Sequence, residues 1–197
     1  MKTISKKPIY NIIELFYENR NFPLHLREIA RKVKLNESSV SRYLNYLFKQ
    51  GVLKTRKEGN LKKFYLAREN IPKLFPIYDE DKLESLPLLR KKAIREYLAE
   101  LSKKPVFAII FGSTAKNTFK KDSDVDILEI YYSKTNNKKF SKRAESLTGM
   151  RINSFQLTEN QFKKELKFKK DKTIQSAINT GFPVFNNKYY WELIYNE

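Results

Sequence analysis

Two aspartates stand two residues apart, Asp124-Val-Asp126, shortly after a glycine–serine pair, Gly112-Ser113. A strand repeats every two residues, so a strand carrying both aspartates points both carboxylates to one face. Their Cα atoms then lie roughly 6.6 Å apart at ~3.3 Å of rise per residue. That spacing suits carboxylates gripping one or two divalent cations. Val125 and Ile127 point the other way, into a core. A glycine lacks Cβ, so its backbone can come close to a phosphate, and a serine hydroxyl can donate to it. Held side by side, such a loop and such a strand are equipped to handle a metal-bound triphosphate.

The elements around these residues are arranged to hold them so. Val106-Phe-Ala-Ile-Ile-Phe111 is an uninterrupted apolar run, which predicts a strand buried on both faces and ending at Gly112. A loop bearing Lys116 follows, then a strand from Asp124. The next strand is expected at Arg151–Leu157. Glu129 leaves its strand on the face opposite Asp126, and Asp122 precedes the strand. Upstream, Pro87 suits a first helical turn, and Leu89, Ala93, Ile94, Tyr97, Leu98 and Leu101 predict a helix to about Ser102. Downstream, helices are expected over 138–149, from a Thr158 cap towards Lys172 with a break, over 174–180 and over 189–195, with a short strand at 182–186. Lys163, Lys164, Lys167, Lys169 and Lys170 form a solvated face or a second nucleic-acid contact.

Composition removes several alternatives. The 197 residues contain no cysteine and one histidine, His25. Disulfides, thiolate metal sites, thiol nucleophiles and a multi-histidine centre are therefore excluded, and a Ser-His-Asp triad built in the usual way is not expected. There are five glycines, and Gly112 is the one in this loop. That leaves no Gly-rich phosphate loop ending in Lys-Ser/Thr and no dinucleotide fingerprint. No apolar segment approaches the about 18 residues of a membrane span. The first residues, Met1 to Lys7, lack the apolar centre of a signal peptide, so the expected location is the cytoplasm. A formal charge of +18 points to a polyanionic partner.

That charge is densest at the front. Residues 1–70 carry 16 Lys and Arg against 6 Glu and no Asp. Ile9, Ile12, Ile13, Phe16 and Tyr17 predict an amphipathic helix over 8–19, broken at Asn21-Phe-Pro23. Leu26, Ile29, Ala30 and Val33 predict a second helix begun by His25, which is expected to be a half-exposed terminal or packing residue. Lys34-Leu-Asn36 is a short turn whose asparagine can cap a third helix with Val40, Tyr43, Leu44, Leu47 and Phe48 inside and Gly51 at its end. Two short strands around Glu58-Gly-Asn60 make a hairpin. The stretch from Pro8 to Leu66 resembles the winged helix-turn-helix domain of archaeal and bacterial transcription regulators. The resemblance implies a double-stranded DNA partner. Ser38, Ser39, Ser41, Arg42 and Asn45 would read base edges, and Lys54, Arg56, Lys57, Lys62 and Lys63 would meet phosphates. A winged helix used for protein contact or dimerisation is the alternative, and repressors of this shape are commonly homodimers. Asn70 to Asp79 holds two prolines without evident periodicity and marks a boundary, giving domains at 1–70 and 87–197 with 71–86 as linker.

From about Pro87 to Asn186 the chain resembles the DNA polymerase β-type nucleotidyltransferase superfamily, in its minimal branch. The strongest likeness is GSTAKNTFKKDSDVDIL. The implied fold class is α+β or α/β: the winged helix-turn-helix, then a mixed sheet packed with helices. The likeness implies catalytic and metal-holding roles for Asp124 and Asp126. It implies nucleotide binding by Gly112, Ser113 and Lys116, with Mg²⁺ (or Mn²⁺) in a two-metal arrangement and an NTP as substrate or ligand. The metals would orient the α-phosphate and stabilise the leaving pyrophosphate while a hydroxyl, of a protein side chain or another acceptor, attacks in line. Two positions depart from the pattern. Asn117 stands where the family has a second glycine, and asparagine tolerates the left-handed backbone. Asn153 stands where family members often carry a third carboxylate that helps activate the acceptor, and an amide is no base. Three readings follow: a DNA-binding nucleotidyltransferase; a transcriptional regulator whose transferase fold senses nucleotide; and an antitoxin-type nucleotidyltransferase.

Overall fold

The computed structural model describes residues 6–20, 22–133 and 138–196. The expectations placed on residues 1–5 and on Asn21 lie outside the described residues. The chain forms two compact units, Met1–Tyr78 and Asp79–Glu197.

In the first unit, α1 (Lys6–Glu18) buries Ile12, Ile13, Phe16 and Tyr17, the spacing of one helical face. A two-residue strand, β1 (Leu24–His25), leads into α2 (Leu26–Val33). His25 is the N-cap of α2, its Nδ1 accepting from the Glu28 N–H at 3.4 Å. Lys34 takes the left-handed conformation, φ 55°, and reverses the chain. Asn36 then caps α3 (Glu37–Lys49), its side chain accepting from the Ser39 N–H at 2.8 Å. β2 (Leu53–Glu58) and β3 (Leu61–Leu66) form the expected hairpin, and β1 adds to it in the order β1-β3-β2. β1 has no counterpart in the sequence expectations, because two residues are too few to show a period.

The segment expected as a linker is not irregular. After a 3₁₀ turn, residues 71–84 form one helix, α4 (Ile71–Glu84). Pro72 falls in its first turn, where no N–H is needed. Pro76 lies inside and forfeits one helical bond. Burial offsets that loss: Ile71, Phe75 and Tyr78 are buried at helical spacing, and Tyr17 packs edge-on against Phe75 at 5.0 Å. The two prolines conceal this period when the sequence is read alone.

In the second unit, α5 (Leu88–Glu100) precedes β4 (Phe107–Phe111), all of whose residues are buried. A five-residue helix, α6 (Gly112–Lys116), leaves β4 directly. β5 (Val125–Tyr131), α7 (Lys138–Thr148), β6 (Ile152–Thr158), α8 (Glu159–Phe168), α9 (Lys172–Thr180), β7 (Phe182–Phe185) and α10 (Asn187–Asn196) complete the unit. The sheet is mixed, in the order β6-β5-β4-β7: β5 and β6 are parallel, and β4 is antiparallel to both β5 and β7. Ala93, Ile94 and Tyr97 of α5 and Phe140 and Ala144 of α7 share a core with Ile110, Val125, Ile127 and Ile152. Leu89, expected on the inward face of α5, is exposed, and Arg90 is buried in its stead. Among the described residues no helix is long and apolar enough to cross a membrane.

Candidate functional site

Sheet register assembles the candidate residues at one end of the second unit. Phe111 pairs with Asp126 across the antiparallel β4–β5 ladder, and Asp126 pairs with Asn153 across the parallel β5–β6 ladder. The backbone therefore carries Gly112 and Ser113 beside Asp126, with Asn153 on its far side. Asp124 lies one residue before β5, but the Val125 N–H donates to Arg151 O at 2.9 Å and keeps it in the ladder's line.

Gly112 has φ +67°, and a Cβ added there would run into Asp126 Oδ2. Glycine is thus required on two counts, and the group its backbone approaches is a carboxylate of the site itself. Ser113 is half-buried, and Lys116 is exposed at the end of α6. Asn117 is left-handed at φ 54°, and its N–H reaches the Ser113 and Thr114 carbonyls. Asparagine thus takes the conformation for which a glycine would otherwise stand there.

Asn153 Nδ2 donates to Asp124 Oδ2 at 3.1 Å and to Asp126 Oδ1 at 3.3 Å. The two carboxylates consequently converge on one nitrogen. A point that suits the positive hydrogens of an amide also suits a cation. Turned over, the same amide presents its oxygen as a hard ligand. Arg151 Nη1 lies 4.0 Å from Asp124 Oδ2 while its Nε lies 3.7 Å from Glu145 Oε1. Among the described residues no group of three or more His, Cys, Asp or Glu is placed to hold a metal. At Asp124 and Asp126 the third side chain is the amide of Asn153. Two carboxylates, with the amide oxygen once Asn153 is turned, are hard donors of the kind a divalent cation takes.

Two further carboxylates, Asp122 and Glu129, lie away from this cluster. Asp122 is exposed before the strand. Glu129 is fully buried behind the sheet, its Oε2 accepting from Tyr131 Oη at 3.2 Å and Gln156 Nε2 at 3.1 Å. Burial first, and then the Glu129 charge, push the neighbouring Tyr97 phenol far above its ordinary range.

One residue of the assembly escaped the sequence reading. Arg90 is 2% exposed and bonds Thr114 Oγ1 and the Asp124 carbonyl. Its signal is positional: it precedes Ala93 and Ile94 by three and four residues, the inward face of α5.

In the first unit, Ser38, Arg42 and Asn45 of α3 are exposed, while Ser39 and Ser41 are half-buried. Ser38 Oγ is engaged with Asn36 Oδ1 at 2.9 Å. The five hairpin cations divide between two faces. Cross-strand partners share a face, so Arg56 lies with Lys63 and Lys57 with Lys62. Glu58 pairs with Arg56 at 3.1 Å and also contacts Lys63, and Glu69 pairs with Lys54 at 3.0 Å. Lys62 lies over the Phe48 and Phe64 rings, 5.3 Å from each centroid.

Residues 91–179 match the family model described as nucleotidyltransferase domain. That match begins within α5, stops one residue short of the end of α9 and includes every site residue of the second unit except Arg90. A solved structure described as a toxin–antitoxin with AMP-PNP is similar at 17% identity and a TM-score of 0.40, over 53% of this chain and 79% of that one. No curated protein matches the chain.

Proposed function

We propose that the second unit binds a nucleoside triphosphate with a divalent cation and transfers its nucleotidyl group slowly to an acceptor hydroxyl. The first unit is a winged helix-turn-helix that binds double-stranded DNA. The observation that carries the first part is the convergence of Asp124 and Asp126 on one point beside Gly112. The nucleotidyltransferase domain match over the same residues supports it.

In this reading Asp124 and Asp126 would hold Mg²⁺, with the Asn153 amide available as a third donor. Bound there, the cation supplies neutralisation of the phosphates and of the departing pyrophosphate. Gly112 and Ser113 border the triphosphate, with the Ser113 hydroxyl donating to it, and Lys116 adds a charge from the rim. No carboxylate takes the acceptor's proton, so that proton leaves to water or to phosphate oxygen and transfer is slow. The acceptor is the hydroxyl of a protein side chain or of another molecule. For the first unit, a capped third helix beside a basic hairpin supports groove and phosphate contact. Arg42 and Asn45 are the base-edge candidates of α3. Lys54, Arg56 and Lys63 reach phosphate only by leaving a glutamate.

The test is labelling. Wild type incubated with each α-labelled NTP, Mg²⁺ and cell extract should label an acceptor, and the Asp124→Asn/Asp126→Asn variant should not. No labelling with any NTP removes the transferase reading. Asn153 favours the second reading, a regulator that senses nucleotide. There, Mg²⁺–ATP shifts DNA affinity without turnover, and operator binding indifferent to nucleotide removes it.

A further inference from the structure

We propose that Arg90 is a positioning residue of this site, fixing Asp124 against α6 so that metal-dependent nucleotide affinity depends on it. The inference rests on the metal–nucleotide reading of the second unit. Arg90 Nη1 donates to Thr114 Oγ1 at 2.8 Å and to Asp124 O at 3.3 Å. Nη2 donates to Ser123 O at 2.9 Å and Lys120 O at 3.5 Å. The guanidinium also lies over the Phe119 ring, 4.2 Å from its centroid. One side chain from α5 thereby grips both halves of the site. Thr114 follows Ser113 in α6, and Asp124 supplies one of the two converging carboxylates.

The intervening residues need such a grip. From Lys116 to Asp122 all but Phe119 are exposed, and Asn117 to Asp124 belong to neither a helix nor a strand. Their local ties include the Lys120 N–H on Ser123 Oγ at 2.8 Å, the Ser123 N–H on Lys120 O at 3.1 Å and the Thr118 N–H on Ser113 O at 3.0 Å. A planar fork with five donors can serve four acceptors and stack on a ring at once, whereas an ammonium cannot match that geometry. Arg90 is also a nearly buried charge that bonds carbonyls and a hydroxyl. Burial lowers the guanidinium pKa, and the nearby Asp124 charge opposes that shift. Removing the guanidinium takes a donor from three backbone carbonyls, of which Lys120 O still accepts the Ser123 N–H at 3.1 Å, and lets Asp124 drift.

The experiment uses the full chain as wild type, Arg90→Lys, Arg90→Met and Thr114→Val. Circular dichroism and thermal melting check folding. Amide hydrogen exchange reads residues 117–124, and titration reads AMP-PNP affinity with Mg²⁺. Arg90→Met should exchange faster over 117–124 and bind Mg²⁺–AMP-PNP about 10- to 100-fold more weakly, the usual loss when a group supporting metal ligands is removed. Arg90→Lys should fall between, and Thr114→Val should lose less. A folded Arg90→Met with wild-type exchange and wild-type affinity overturns the proposal. If Arg90→Met does not fold, Arg90→Lys with wild-type exchange and affinity overturns it instead. If the wild type binds no Mg²⁺–AMP-PNP, the proposed function falls, and exchange alone decides whether Arg90 fixes Asp124.

Discussion

Asn153 stands opposite Asp126 in the parallel pairing of β5 with β6, and its amide donates to Asp126 Oδ1 at 3.3 Å. With its second bond to Asp124, it holds the two carboxylates together by a neutral donor. A third carboxylate would raise cation affinity and repel its neighbours when no cation is present. The amide reverses both effects. In the proposed reading two carboxylates would bind a free cation weakly, phosphate oxygens would complete its ligands, and the cation is expected to enter with the nucleotide.

Asn153→Asp tests this balance. Three like charges near 4 Å repel by up to about 4 kcal/mol per pair at the effective dielectric near a protein surface. Hydration and protonation reduce that to a net loss of about 1–2 kcal/mol. The variant should melt below wild type without divalent cation and recover with Mg²⁺, and it should bind Mn²⁺ more tightly. Thermal melts with and without cation check the first, and Mn²⁺ titration the second. Labelling by α-labelled NTP should also rise if an acceptor base was what the site lacked.

Gly112 and Gly59 separate backbone conformation from close approach. Both have positive φ, +67° and +57°, and nothing lies within 4 Å of a Cβ at Gly59. Alanine in a left-handed conformation costs about 1–2 kcal/mol at either place. Gly59→Ala should lose only that, by denaturant unfolding, and keep nucleotide binding. Gly112→Ala should lose more, because its methyl displaces Asp126, and should lose metal-dependent nucleotide binding.

The Tyr189–Glu159 contact between α10 and α8 gives a pH signature. Tyr189 Oη donates to Glu159 Oε1 at 2.6 Å. That bond is the main reason Glu159 lies below its ordinary 4.5, and it pushes the Tyr189 phenol from 10.0 up to about 12. Glu159 therefore adds stability above its unfolded value, lost as pH falls through its lower folded value. Tyr189 adds stability below 10.0, lost as pH rises towards about 12. Tyr189→Phe should unfold at lower denaturant near neutral pH. Its difference from wild type should shrink at both ends, read from denaturant midpoints across pH.

Much of the second unit's site is visible in its sequence, because periods of two report faces directly. The buried run ending at Phe111 and the shared face of Asp124 and Asp126 follow from spacing, whereas Asn117 and Asn153 stand out only through the family resemblance. What spacing conceals is what depends on partners distant in the chain. Arg90 is a charged residue on an inward face, and only its acceptors beyond residue 113 explain it. In α4, Pro72 and Pro76 look like breakers, and only the packing of Ile71, Phe75 and Tyr78 sustains the helix. The hairpin lysines and arginine look like a single basic edge until pairing divides them and glutamates engage three of them.

The most direct measurement is calorimetric titration of the full chain with AMP-PNP, with Mg²⁺ and with chelator, for wild type and Asp124→Asn/Asp126→Asn. The account predicts one saturable site in wild type that requires Mg²⁺ and disappears in the folded double variant. Equal binding by the double variant, or none by wild type at millimolar ligand, contradicts a metal–nucleotide site at Asp124 and Asp126.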